Sequence, residues 1–333
     1  MSSKALAAVI IYGTLLPAQT PVLKLYEAVE PHMGTMFQIK LYAGDDDSAK
    51  AGFHAAFQRI AELDSKLSDY KPDSELNVAA RHAAGRAVHI SDDLTAVLSA
   101  SQKMSEETEG AFDITVGPLT KLWRQARKEH RVPSSEAIRE ARTKCGYRKL
   151  HLNLVQQTIT VDSPDVQLDL GAIAKGYAAD EALRVLTRLG LQHALVAASG
   201  DLAFGDAPPG QAGWRIGIDS FEGVMQLTNA AVSTSGASEQ NLESNGTRYS
   251  HIIDPKTGMG LTDDITVTTI SRRGLLADPA ATAISVLGCE KGMAFVERNP
   301  DLAAFIVEKS GGHVTTLESA RFKKLEEHDA VTR

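Results

Sequence analysis

The chain has 333 residues, room for one large domain or two ordinary ones. Its 43% hydrophobic and 23% charged residues can bury a substantial core, which excludes a fully disordered protein. Lys and Arg number 35 against 42 Asp and Glu, and the resulting net charge of −7 argues against a polyanion binder held by general electrostatics.

The first twenty residues read MSSKALAAVIIYGTLLPAQT. Lys4, the apolar run Ala5 to Leu16 and the Pro17-Ala18-Gln19 break have the order of a secretory signal peptide, in a run too short to span a bilayer. An ordinary N-terminal helix or strand is the competing reading. Export, to a periplasm for instance, is the expectation, with a cytoplasmic location as the alternative. No cysteine precedes Cys145, so a lipid anchor on an N-terminal cysteine is not expected, nor is any further membrane span. The two cysteines, Cys145 and Cys289, lack CxxC spacing, which excludes a disulfide-built scaffold and a Cys-rich zinc site. Their pairing with each other stays open.

Further along, Met36 to Ala43 alternates as a strand and ends at Gly44-Asp45-Asp46-Asp47. Phe53, Ala56, Phe57, Ile60, Leu63 and Leu67 fall at helical spacing. Ser68 to Asn77 reads as a turn region. A second helix starts at a Ser91 N-cap, with Leu94, Val97, Leu98 and Met104 as its stripe. Pro118 opens a third, and another follows near 134–143. Tyr147 to Leu170 holds three short β-like runs, the last being VQLDL. Residues 173–189 return to helix, stopped by Gly190. The runs HALVAA, WRIGID, MQLTNAAV, SHIID, ITVTTI and AAFIV then alternate with turns, and Asn245-Gly246 marks a hairpin. Residues beyond Ala320 read as a frayed, charged tail. Helices early and strands late predict an α+β fold.

Familiar catalytic signatures fail. Gly171 and Gly176 have the glycine spacing of a Walker A loop, but Tyr177 stands where Lys is needed. The ten histidines form no HExxH pair, no serine sits in GxSxG, and no GxGxxG joins a strand to a helix. Zinc hydrolysis, serine hydrolysis and Rossmann hydride transfer lose support.

Unusual short segments remain. In LDLGAIAKGYAAD, Asp169 ends a strand and Lys175 enters the first turn of a helix, where both can face a nucleotide. A salt bridge around a tight turn fits as well. In LLADPAATAISVLG, Pro279 starts a helix, placing Asp278 at the N-cap and Thr282 one turn on. A carboxylate and a hydroxyl there suit Mg²⁺, while simple capping is the plainer account. His251 leaves a strand beside a Lys-Thr-Gly turn and reads as a general base or a structural histidine. Tyr70 can stack on an aromatic ligand or lie on the core.

Taken in order, Met33-Gly34-Thr35, SDYKPDSELN, Gly110 to Pro118 (GAFDITVGP), LDLGAIAKGYAAD, SHIIDPKTG and Ala277-Asp278 with Ala281-Thr282 closely resemble the FAD:protein FMN transferase family, also called the ApbE family. The resemblance runs from about Glu27 to about Val314 and implies one catalytic domain over 27–318, between a leader at 1–20 and a charged tail at 319–333. It implies an α+β fold related to the tunnelling fold, with FAD as substrate and Mg²⁺ as cofactor. The implied activity is transfer of FMN to a Thr or Ser hydroxyl of an acceptor redox protein, with release of AMP. By motif, Met33, Tyr70, Ala111, Phe112, Asp113, Asp169, Lys175 and Ile252 would contact FAD. The Ala172 carbonyl, Asp278 and Thr282 would bind the metal, and His251 would be the base. Acceptors would carry a Ser/Thr-Gly-Ala-Ser/Thr site, and nucleic acid is not an expected partner. Some relatives hydrolyse FAD to FMN and AMP instead, and a non-catalytic flavin-binding protein is a third reading. Two departures stand out: Pro279 directly after Asp278, and Ala237 where the family frequently has an acidic residue. Ser235-Gly236-Ala237-Ser238 itself resembles an acceptor core, which would make Ser238 a self-modification site, although a hydroxyl-rich turn is the plainer reading.

Overall fold

The computed structural model describes residues 22–236 and 241–331. The leader expected at 1–20, and Ala237 and Ser238 of the acceptor-like segment, lie outside them.

The chain begins with β1 (Lys24–His32) and β2 (Thr35–Ala43), joined at Met33-Gly34. Both turn residues have positive φ, 50° and 75°, as a two-residue hairpin turn matching strand twist requires. Then α1 (Asp46–Leu67) starts at Asp45, whose carboxylate accepts from Ser48 N–H at 2.7 Å. Its buried stripe includes Ala56, Phe57, Ile60, Leu63 and Leu67. The helical first half continues with α2 (Glu75–His82), the short β3 (Val88–His89), α3 (Asp92–Glu107) capped by Ser91, α4 (Gly117–Lys128) with Pro118 in its first turn, and α5 (Ser135–Thr143). Of the next two strands, β4 (Leu150–Asn153) and β5 (Thr158–Val161), β5 pairs with both β3 and β4 in a small antiparallel sheet.

After α6 (Ala174–Arg188) come β6 (Ala194–Ala198), β7 (Asp201–Phe204), the pair β8 (Trp214–Ile216) and β9 (Met225–Leu227), and β10 (Ala230–Gly236). The hairpin of β11 (Asn241–Ser244) and β12 (Thr247–Ser250) turns at Asn245-Gly246, and β13 (Asp264–Ser271) leads to α7 (Gly274–Arg298). The chain closes with β14 (Ala303–Ser310), β15 (His313–Glu318) and α8 (Ala320–Val331). Eight strands form one antiparallel sheet in the order β1-β2-β6-β7-β10-β13-β14-β15. One face, with Phe37, Ile39, Val196, Val267 and Ile306, shares the main core with α1, α3, α6 and α7. On the other face Phe204, Trp214, Met225, Phe305 and Phe322 pack together. A third cluster, with Leu119, Trp123, Ile138, Leu242 and Ile253, ties α4 and α5 to the hairpin β11–β12 and the segment after it. The fold is mixed α+β.

Several local expectations need correction. VQLDL forms no strand: its backbone meets the 114–116 loop at one isolated Val116–Gln167 bridge and through an Asp169 N–H donated to Ile114 O at 2.7 Å. Helix α2 begins inside the expected turn, at Glu75, because Ser74 caps Asn77 N–H. MQLTNAAV breaks into β9 and β10, with Asn229 at φ 48°. Helix α7 starts at Gly274 rather than Pro279 and breaks at Gly288, φ 76°. The supposed frayed tail is α8, anchored by the fully buried Phe322. Both cysteines are free thiols, and among the described residues no helix is long and apolar enough to cross a membrane.

Candidate functional site

Helices α6 and α7 cross at two glycines, and the crossing decides what Asp278 does. A Cβ on Gly176 would collide with the Gly274 carbonyl oxygen, and one on Gly274 with that of Gly176. This close approach lets each helix cap the other. Asp278 Oδ2, from α7, accepts from Gly176 N–H in the first turn of α6 at 3.1 Å. Asp180, from α6, accepts from Gly274 N–H at 2.8 Å and Leu275 N–H at 3.1 Å, at the start of α7. Each carboxylate thus satisfies donors that a helix start leaves open and sits at the positive end of a helix dipole. Asp278 is therefore not the N-cap of its own helix, as the sequence suggests; Arg273 holds that position. Burial, and then the nearby Asp201 charge, push the Asp278 carboxyl up to about 7, and burial pushes that of Asp180 up to about 6.

Lys175 completes a polar cluster at this end of α6. Its Nζ lies 2.7 Å from Asp201 Oδ2 and 3.9 Å from Asp278 Oδ2, and donates to Gly171 O at 3.4 Å. Asp201, at the start of β7, is buried and also accepts from the Ser233 hydroxyl. Thr282 stands one helical turn after Asp278, half-buried, with no side-chain hydrogen-bond partner among the described residues. Ala172 lies in the turn that opens α6. A buried carboxylate, a hydroxyl and a carbonyl are all hard oxygen donors, the set that Mg²⁺ takes. Among the described residues no cluster of three or more His, Cys, Asp or Glu is placed to hold a metal.

A second cluster joins three elements around Arg124 of α4. Its guanidinium binds Asp69, reaches Asp169 Oδ2 at 3.3 Å and lies 4.0 Å over the Tyr70 ring. Burial, then the Asp169 charge, raise the Asp69 carboxyl, whose charge Arg124 in turn supports. Burial opposes the Arg124 charge, but the two carboxylates overcome it and hold that group above its usual value. Asp169 Oδ1 accepts from Gly171 N–H at 2.8 Å, so this cluster is continuous with the turn into α6.

Gly110 to Val116 run alongside, their backbone fixed to Gln167 and Asp169 as described. Ala111, Phe112 and Asp113 are buried. Asp113 is held by its own loop, accepting from Thr115 N–H at 2.7 Å and the Thr115 hydroxyl at 2.6 Å, and burial raises its carboxyl. A cavity of about 520 Å³ opens beside it, with Arg142, Tyr147, Arg148 and Lys256 in its wall. His251 directly follows β12 and is half-buried; Ile252 is buried, its N–H donated to Ser250 Oγ at 3.1 Å. Trp123 steadies that segment by donating to Gly258 O at 2.8 Å.

The structure thus joins Tyr70, Asp169, Lys175 and Asp278 through one chain of polar contacts, with Ala172 and Thr282 on the same elements. Met33 sits at the tip of the β1–β2 hairpin, half-buried against the main core, and Ile252 on the segment after β12. Arg124, Asp69, Asp201 and Asp180 were not legible as site residues. Asp69 and Asp180 sit inside segments singled out above, but nothing in sequence says that their partners lie 55 or 94 positions away.

A family model described as the ApbE family matches residues 33–306. An FAD:protein FMN transferase of Haemophilus influenzae is 31% identical over 89% of this chain and 90% of its own. One of Treponema pallidum is 33% identical over 85% and 84%. The structure of the flavin transferase ApbE from Vibrio cholerae superposes with a TM-score of 0.83 at 29% identity, covering 91% of this chain and 99% of that one. The apo flavinyl transferase ApbE of Pseudomonas stutzeri gives 0.81 at 34% identity, over 91% and 97%.

Proposed function

The chain belongs to the ApbE family, and on that premise we propose that it is an FAD:protein FMN transferase, moving FMN from FAD to a Thr or Ser hydroxyl of an acceptor redox protein and releasing AMP. The observation that carries this reading is the polar cluster at the start of α6, where Lys175 meets the oxygen donors around Asp278. Asp278, Thr282 and the Ala172 carbonyl would hold Mg²⁺, which supplies charge neutralisation on the pyrophosphate. Lys175 adds a positive charge beside the phosphates, and Asp169 and Tyr70 orient the substrate from the neighbouring turn, with Met33, Ala111, Phe112, Asp113 and Ile252 as further contacts. His251 takes the proton of the acceptor hydroxyl, whose oxygen bonds to the FMN phosphorus. The anhydride bond to AMP breaks, and AMP leaves with the bridging oxygen. The apolar run Ala5 to Leu16 supports export, so the acceptors would be exported or membrane-bound redox proteins with a Ser/Thr-Gly-Ala-Ser/Thr site.

The test is an incubation of the protein with FAD and Mg²⁺, with and without an acceptor peptide, read by mass spectrometry. FMN added to the peptide is the expected result. Free FMN and AMP without peptide would identify a pyrophosphatase, and intact FAD a flavin-binding protein.

A further inference from the structure

We propose that Arg124 is a positioning residue for FAD: it pins the Tyr70 loop to Asp169 and backs one face of the Tyr70 ring, leaving the other face for a flat ligand. This rests on the reading of Tyr70 and Asp169 as FAD contacts. Tyr70 is 72% exposed, and an unsupported loop phenol would sample many rotamers. Its ring is instead covered on one side by a guanidinium 4.0 Å from the centroid.

That guanidinium is itself well fixed. It projects from α4, whose neighbouring residue Trp123 is fully buried and hydrogen-bonded to Gly258 O. Its side chain is only 22% exposed and meets two carboxylates from different loops, Asp69 beside Tyr70 and Asp169 before α6. Without the cation, two carboxylates that it now bridges, Asp69 and Asp169, would face each other unneutralised; burial first, and then the Asp169 charge, already raise the Asp69 carboxyl. The loop carrying Tyr70 would then separate from the turn carrying Asp169. Only a planar fork can bridge both acids and lie on a ring at once; a lysine ammonium is a single point charge. Holding the ring in place before FAD arrives removes an ordering cost from binding, so the effect belongs in affinity rather than in the chemical step.

The test compares the full-length parent with Arg124→Leu, Arg124→Lys, Tyr70→Leu and the Arg124→Leu/Tyr70→Leu double variant. FAD affinity without metal or acceptor, the visible circular dichroism of bound flavin, melting temperature, KM and kcat are measured. Arg124→Leu should raise the FAD Kd and KM by about tenfold, change kcat by less than about twofold and alter the flavin dichroism. Arg124→Lys should recover little of this. The double variant should bind no worse than Tyr70→Leu, because Arg124 acts through that ring. Parent-like Kd and dichroism in folded Arg124→Leu, full rescue by lysine, or additive losses in the double variant would each overturn the proposal. If Arg124→Leu does not fold, parent-like binding by Arg124→Lys overturns it. Failure of the transferase reading shows separately, as a parent protein that binds FAD but never labels the acceptor.

Discussion

Asp278 accepts the backbone N–H of Gly176 at 3.1 Å, while Asp180, four residues after Gly176, accepts the N–H groups that open the helix carrying Asp278. The two helices therefore stabilise each other's starts, and both glycines at the crossing are needed for the approach. Gly176, which in sequence imitates half of a phosphate-binding loop, owes its place to this packing.

Gly176→Ala should accordingly be severe. The added methyl group would meet the Gly274 carbonyl and lie 2.8 Å from Asp278 Cβ, and neither backbone can yield without parting the helices. A loss of about 2 kcal/mol or more is expected, in the range of overpacked cores. Urea unfolding measures it; a parent-like midpoint would show that the crossing is loose.

Asp278→Asn separates capping from metal binding. An Asn oxygen can still accept from Gly176, so unfolding should change little. The charge that a magnesium site needs is gone, so the variant should require far more Mg²⁺ and turn over about tenfold more slowly or worse, tenfold being roughly 1.4 kcal/mol. Thr282→Val should act in the same direction more weakly. Unchanged Mg²⁺ dependence in Asp278→Asn would leave Asp278 as a cap alone.

The capping role itself could not be read from the sequence. Asp278-Pro279 reads as a cap followed by the first residue of a helix, whereas α7 starts five residues before Pro279, at Gly274, where Asp180 supplies the cap from another element. Local patterns, by contrast, were legible wherever the determinants are local: the Ser91 cap, the α1 stripe and the Asn245-Gly246 turn each need only neighbours in the chain. VQLDL failed for the opposite reason. Its alternation is real, with Val166, Leu168 and Leu170 buried, but a strand needs a partner along its length and the adjacent loop offers only one bridge. Among site residues, those inside distinctive motifs could be named, while Arg124 and Asp201 act through contacts far apart in sequence.

Asp180 gives a pH dependence of stability. Its carboxyl titrates near 6 in the folded protein, above the usual carboxylate value, because burial disfavours the charge. The folded state then holds the proton more tightly than the unfolded state, so this group's contribution is greatest below about pH 4 and declines as pH rises towards 6. Asp180→Asn should flatten that part of the stability profile, on the order of 2–3 kcal/mol across the window. Melting curves of metal-free protein from pH 4 to 7, parent against variant, check this. Parallel profiles would mean that the Asp180 carboxyl is not raised.

Lys175 poses the sharpest question, because it can serve either the fold or the substrate. Its Nζ neutralises the buried Asp201 at 2.7 Å, and a buried carboxylate stripped of its partner typically costs about 3 kcal/mol or more. Lys175→Ala should therefore lower both the melting temperature and the turnover of FAD, and the single variant cannot tell which loss causes the other. The Lys175→Ala/Asp201→Asn double variant can. Replacing the orphaned carboxylate by a neutral amide, which can still accept from Ser233, should restore most of the melting temperature. It returns no cation to the cluster near Asp278, so FAD turnover should stay at least about tenfold below the parent, the loss expected when a charge-assisted contact to phosphate is removed. Recovery of turnover together with stability would make Lys175 only the counter-ion of Asp201, and the phosphate charge would then have to be met by another residue.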